Sequence, residues 1–190
     1  MKIRHGILAI VCLTVASGTL LKSSAFASSE TETYQLHMEP PQVAQAANGD
    51  VVSISGMGVF QVNPKSVTAS GTFTRSDSQG NILSSGTWTA GTDPLDRTQL
   101  LSFQPYGCGV VRGFPINPRA CGGKLMLRIL LTDTASQQQF YAVLWVFCII
   151  GPNPPNSHDD PTGEGVNLDI IGVNNYNRIV SGGNVFIKTS

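Results

Sequence analysis

A glycine, any residue, then an aromatic: this unit occurs three times between Asp50 and Ala90, as Gly58-Val-Phe60, Gly71-Thr-Phe73 and Gly86-Thr-Trp88. The last two are near-copies, Gly71-Thr-Phe-Thr74 and Gly86-Thr-Trp-Thr89. Residues i and i+2 of a strand share a face, so each glycine lies on the face that carries its ring. A ring can then cover backbone that has no side chain of its own, which is how antiparallel sheets acquire curvature. Between the second and third copies, Arg75-Ser-Asp-Ser-Gln-Gly-Asn81 holds the Asp, Ser, Gly and Asn that close a hairpin. Residues 50–90 are therefore predicted to form a curved meander of at least three antiparallel strands. Val52, Ile54, Gly56, Gly58, Phe60 and Val62 fall on one parity of its first strand, the mark of a half-buried strand.

Ahead of the meander stands a tripartite segment. Met1-Lys2-Ile3-Arg4 is positive, Ile7 to Leu21 is mostly apolar, and Ala25-Phe26-Ala27 puts small residues where a signal peptidase reads. The apolar run, interrupted by Ser17-Gly18-Thr19, is short against the roughly 20 residues that span a bilayer. Residues 1–27 are thus predicted to be a signal peptide, which implies a secreted or periplasmic protein. Without Lys2, Arg4 and Lys22, nine of the 12 basic residues remain against 12 acidic ones, a net charge of −3. That balance argues against nucleic-acid partners and anionic membrane surfaces, both of which call for clustered Lys and Arg. Residues 28–49 are polar and Ala/Gln-rich apart from the short strand-like Tyr34-Gln-Leu-His-Met38, and are predicted to be a flexible leader. Residues 50–190 then make one domain.

Beyond Ala90, Leu100-Leu-Ser-Phe103 reads as a fourth strand. Residues 104–123 carry five glycines and three prolines and read as a long irregular loop. Cys108 and Cys121 lie near its ends. Lys124 to Thr132 alternates, with Leu125, Leu127, Ile129 and Leu131 on one side and Arg128 on the other, and pairs across the turn at 133–139 with the unbroken apolar run Phe140 to Ile150. That run reads as a central strand covered on both faces. Val166 to Ile171 and Arg178 to Lys188, with Gly182-Gly183 as a turn or bulge, complete about eight mainly antiparallel strands. No amphipathic helix is evident, so the fold class is all-β, a small barrel, with a two-sheet sandwich as the alternative.

Beyond the signal peptide the chain has Cys108, Cys121 and Cys148. In an oxidising compartment one pair is expected, and Cys108–Cys121 is favoured because both fall in one Gly-rich loop, while Cys148 lies in the apolar run. Their spacing matches no zinc pattern, and no metal site is predicted. His158-Asp159-Asp160 with Glu164 gathers an imidazole and three carboxylates in one Pro-rich loop, in a spacing unlike an EF-hand, and reads as a solvated loop. His37 lies in the predicted leader. There is no Gly-x-Ser-x-Gly elbow for a hydrolase, and Gly56-Met-Gly58 has no Lys or following helix to make a phosphate loop. Phe60, Phe73 and Trp88 are the candidate ligand-binding residues: in a barrel they line an apolar cavity, or else fill the core.

The run Gly86-Thr-Trp-Thr89, Ser102-Phe-Gln-Pro-Tyr-Gly107, Gly122-Gly123 and Glu164-Gly-Val166 resembles a group of uncharacterised exported bacterial proteins, which implies no activity. Ile54-Ser-Gly-Met-Gly-Val-Phe60 followed by Ala69-Ser-Gly71 is similar to the Gly-rich strand signature of the allene oxide cyclase and dirigent barrels. Extra residues separate the two halves of that signature here, so the likeness implies a barrel with an apolar interior and carries over no catalytic residue. The expected function is non-catalytic binding of a small apolar molecule or a protein partner, without a cofactor. The alternatives are a surface or adhesion sandwich and a cyclase-like barrel enzyme.

Overall fold

The computed structural model of the protein describes residues 31–93, 95, 97–152, 154 and 163–190. The predicted signal peptide and His158-Asp159-Asp160 lie outside them. The described chain is all-β, with thirteen strands. The meander is β2 (Val51–Gln61), β3 (Ser66–Ser76) and β4 (Ile82–Ala90), preceded by β1 (Thr33–Gln45). Next come β5 (Gln99–Cys108) and a two-stranded ribbon of β6 (Val110–Val111) and β7 (Phe114–Pro115). A long hairpin follows, β8 (Ala120–Asp133) with β9 (Gln139–Cys148), and then β10 (Gly165–Ile170), β11 (Asn174–Tyr176), β12 (Arg178–Ser181) and β13 (Asn184–Lys188).

The order β8-β13-β1-β2-β3-β4 returns to β8 and makes a ring of six strands. Closure uses the two ends of the longest strand. Cys121 and Ala120 of β8 pair with Phe186 and Ile187 of β13, while Leu130 to Asp133 pair with Thr89 to Gly86 of β4. The same strand carries β5 and, on its other edge, β9, which leads on to β10 and β11. Thus β5-β8-β9-β10-β11 form one face, β4-β3-β2-β1-β13 the other, and a single hydrophobic core lies between them.

The meander forms as its sequence predicts, but the rings do not cover their own glycines. Gly71 stands opposite Gly56 on β2 and Trp88 on β4, so the cross-strand row reads Met38, Gly56, Gly71, Trp88, Leu131. The indole lies over both glycines: a Cβ on Gly56 would come within 2.3 Å of Trp88 Cζ2, and one on Gly71 within 2.5 Å of its Nε1. Asp77 closes the β3–β4 turn by accepting from the N–H groups of Gln79 at 2.9 Å and Asn81 at 2.8 Å.

Three expectations are corrected. Residues 33–45 of the predicted flexible leader form β1, which pairs with β2 on one edge and with β13 and β12 on the other. Tyr34, Leu36, Met38 and Ala44 are buried, so β1 gains both ladder hydrogen bonds and apolar burial, and residues 39–41 are taken up as a bulge opposite Ser55. The Gly/Pro-rich stretch 104–123 is not wholly irregular, because β5 continues through Pro105 and Gly107 to Cys108, and β8 begins at Ala120. The Phe140–Ile150 run is fully covered on both faces only near its end, where Phe147 is buried on the outer parity. Ala142, Leu144 and Val146 are buried in the core, while Tyr141, Val143 and Trp145 on the opposite parity are half-buried.

Candidate functional site

Phe60, Phe73 and Trp88 are exposed by 1%, 3% and 0% of their surface. Phe73 and Trp88 are diagonal neighbours on one face, because Phe73 pairs with Gly86 and Gly71 with Trp88, while Phe60 stands further along β2. Phe60 packs with Tyr34, Phe103 and Phe186, ring centroids 4.9 to 5.7 Å apart. Phe73 stands between Ile54 and Gly86 in the cross-strand register. Trp88 is fixed further along the ring by its row of glycines and by its Nε1–H, which donates to the Ser55 carbonyl at 2.8 Å. All three belong to the one packed core.

Cys108 and Cys121 form the disulfide that the sequence favours. They are register partners at the ends of β5 and β8, so the bond staples two paired strands as well as closing the ribbon between them. Such a bond persists in an oxidising environment. Cys148 is a buried free thiol, pushed up to about 12 by burial first and then by the charge of Glu164. A thiol held protonated in this way is not a nucleophile near neutral pH.

Among the described residues, surface clefts at three places carry polar chemistry. The first, of about 440 Å³, opens where β4 parts from β8 at the β8–β9 turn and is lined by Arg75, Ser84, Asp133, Gln138, Ile82 and Phe140 among others. Half-buried Arg75 donates through Nε to the hydroxyl of Tyr176 at 2.8 Å and through Nη1 to Ser84 Oγ at 3.3 Å, and among the described residues it has no carboxylate partner. Asp133 accepts from the backbone N–H and hydroxyl of Ser136, which hold its carboxyl below the usual range.

The second cleft, of about 460 Å³, is lined by His37, Glu164, Gly183, Asn184, Val185 and Ile187. It brings together two candidates that are remote in sequence, because β1 pairs with β13 and places His37 opposite Val185. Burial raises the Glu164 carboxyl, against the backbone N–H of Asn184, which donates to it at 2.7 Å. Among the described residues no group of three His, Cys, Asp or Glu could hold a metal ion.

The third cleft, of about 250 Å³, lies on the outer surface of β8, β9 and β10 and is lined by Lys124, Trp145, Phe147, Asn167, Asn175 and Asn177. Register puts it together: Trp145 of β9 stands opposite Asn167 of β10, and Lys124 of β8 opposite Phe147. The Lys124 ammonium lies 5.7 Å from the Phe147 ring centroid. Among the described residues, the Trp145 indole N–H and the Asn175 and Asn177 side-chain amides make no hydrogen bond, and the enclosed Asn167 Oδ1 has no partner. A buried acceptor left unpaired costs about 1–3 kcal/mol. The apolar run hides Trp145 from a sequence reading because both its parities are apolar. The signal that could have found it lies on β10, where Val166-Asn-Leu-Asp-Ile170 alternates and its polar parity faces the same way as Trp145.

No protein-family model, curated protein or solved structure matches this chain.

Proposed function

We propose that this is an exported, non-catalytic binding protein that receives a small molecule on its outer β8–β10 face, at Trp145, rather than inside the ring. The observation that carries this reading is the contrast between the two tryptophans: Trp88 has no exposed surface, whereas Trp145 lines an open cleft beside amides with unused hydrogen-bonding capacity. A ligand inside the ring would have to displace the packed rows around Trp88, at the cost of a cavity's worth of core contacts. Ligand sites combine an apolar surface with a few placed polar groups, which is the composition of the Trp145 cleft.

Export agrees with the disulfide and with the tripartite segment at the start of the sequence. On this reading, terminal sequencing of the protein recovered outside the cytoplasm begins at Ser28; recovery of the chain with Met1 intact would remove the export half of the proposal. The binding half is tested by emission. A screen of sugars, fatty acids, terpenoids and aromatic metabolites is expected to find ligands that change the tryptophan emission, and Trp145→Phe is expected to abolish that change. A response that survives in Trp145→Phe would come from Trp88 and return the site to the interior. A surface or adhesion role is a second reading, favoured by Met57 and Val59, which stand 54% and 46% exposed on the outer face of β2.

A further inference from the structure

We propose that the Trp145 cleft is a saccharide site, taking one neutral pyranose ring with its C–H face on the indole and its hydroxyls on the asparagines. This rests on the reading that the ligand is received on the outer face of β8–β10. A pyranose has an apolar face rich in C–H groups and a rim of hydroxyls, each both donor and acceptor. The cleft offers the complement of both. The half-buried Trp145 ring presents a surface whose negative quadrupole suits C–H groups. Exposed Asn175 and Asn177 bring amides that can donate and accept at once, which suits neighbouring hydroxyls, and Asn167 lies beside them with its Oδ1 enclosed.

Other ligand classes fit the lining less well. An apolar molecule filling the cleft would cover three amides without offering them partners. A cation would meet the ammonium of Lys124, and an aromatic cage for one needs several rings around the charge. A nucleotide calls for more than one cation, and Lys124 is the one cationic residue in the lining. The volume of about 250 Å³ matches a single ring better than a peptide segment, so a longer glycan would lay one residue in the cleft and extend across the sheet face.

The test is calorimetric and NMR titration of the disulfide-bonded chain with cellotetraose, mannotetraose, a β-linked galactotetraose and chitotetraose, with dodecanoate as the apolar comparison. At least one tetrasaccharide is expected to bind with saturation at millimolar concentration or below and to shift the Trp145 indole N–H, leaving that of Trp88 unmoved. Trp145→Ala is expected to abolish binding. The exposed pair Asn175→Ala and Asn177→Ala, which tests the amides without touching the core, is expected to weaken it by about tenfold or more. No saturable shift with any of the four sugars, or sugar binding that is unchanged in the double asparagine variant, overturns the proposal. If dodecanoate alone moves Trp145 and Trp145→Phe abolishes its binding, the saccharide class falls while the outer face stands as the site. If Trp88 alone moves, both readings fall.

Discussion

Trp88 is held by shape on one side and by a hydrogen bond on the other. Its ring needs the backbone of Gly56 and Gly71 beneath it, and its N–H needs the Ser55 carbonyl, so neither a larger residue at the glycines nor a smaller one at Trp88 is accommodated without loss. Trp88→Ala is expected to lower stability by about 3–5 kcal/mol in chemical denaturation, the usual cost of emptying an enclosed aromatic site. Gly71→Ala is expected to be at least as disruptive, because its Cβ would meet the Ser55 carbonyl oxygen at 1.9 Å, and backbone cannot swing aside as a side-chain tip can. A denaturation midpoint unchanged in either variant would mean that the ring is not packed as described. The Gly-x-aromatic spacing announced a close approach of ring to glycine. Which ring meets which glycine depends on register between strands, which spacing within one strand does not contain.

At the scale of the element, β1 alters the picture of the chain most. Its sequence is interrupted by Glu39-Pro-Pro41 and lies beside polar Ala/Gln-rich residues, so local pattern favours a leader. Its partners decide otherwise: β2 on one edge and β13 with β12 on the other supply hydrogen bonds that no local propensity predicts. A chain starting at Ser28 is therefore expected to unfold cooperatively and to give dispersed amide signals. A chain starting at Asp50 is expected to lose both, since the ring opens and the edges of β2 and β13 are left unpaired. Cooperative unfolding of the shorter chain would restore the leader reading. The β8–β9 hairpin is the opposite case, because its alternating strand, polar turn and apolar return strand are all local, and its register runs unbroken from Gly123–Cys148 to Thr132–Gln139 as the sequence pattern suggests.

For the molecule as a whole, the two ends of the described chain are joined where β1 meets β13. Lys188 of β13 donates to Glu32 Oε1 at 2.6 Å, Tyr34 donates to Glu32 Oε2 at 3.0 Å, and Glu32 in turn offers its carbonyl to Val62 N–H. The carboxyl of Glu32 is held below its ordinary value, first by the Lys188 hydrogen bond. A depressed carboxyl contributes stability that is present above its unfolded pKa and lost as pH falls through its folded value. Lys188→Met is therefore expected to lower stability slightly near neutral pH, the effect being small because the pair is partly exposed and screened, and that difference from the unaltered chain is expected to vanish as pH falls through the folded value of Glu32. A stability difference that is absent at neutral pH, or that does not shrink on acidification, would show that this pair carries no linkage.

The sequence alone determined the all-β class, the meander and the β8–β9 hairpin, and it favoured the Cys108–Cys121 pair that the structure then showed, because each rests on signals carried within a short stretch: period, turn chemistry and the proximity of two cysteines. Only the tertiary structure decided that β1 is integral, that Phe60, Phe73 and Trp88 are buried in the core cluster, that His37 and Glu164 share a cleft, and that Trp145 faces outward beside three asparagines. These outcomes depend on which strands become neighbours and in what register, and in a sheet whose pairings run as far in sequence as β1 with β13, that information resides in the closure of the ring.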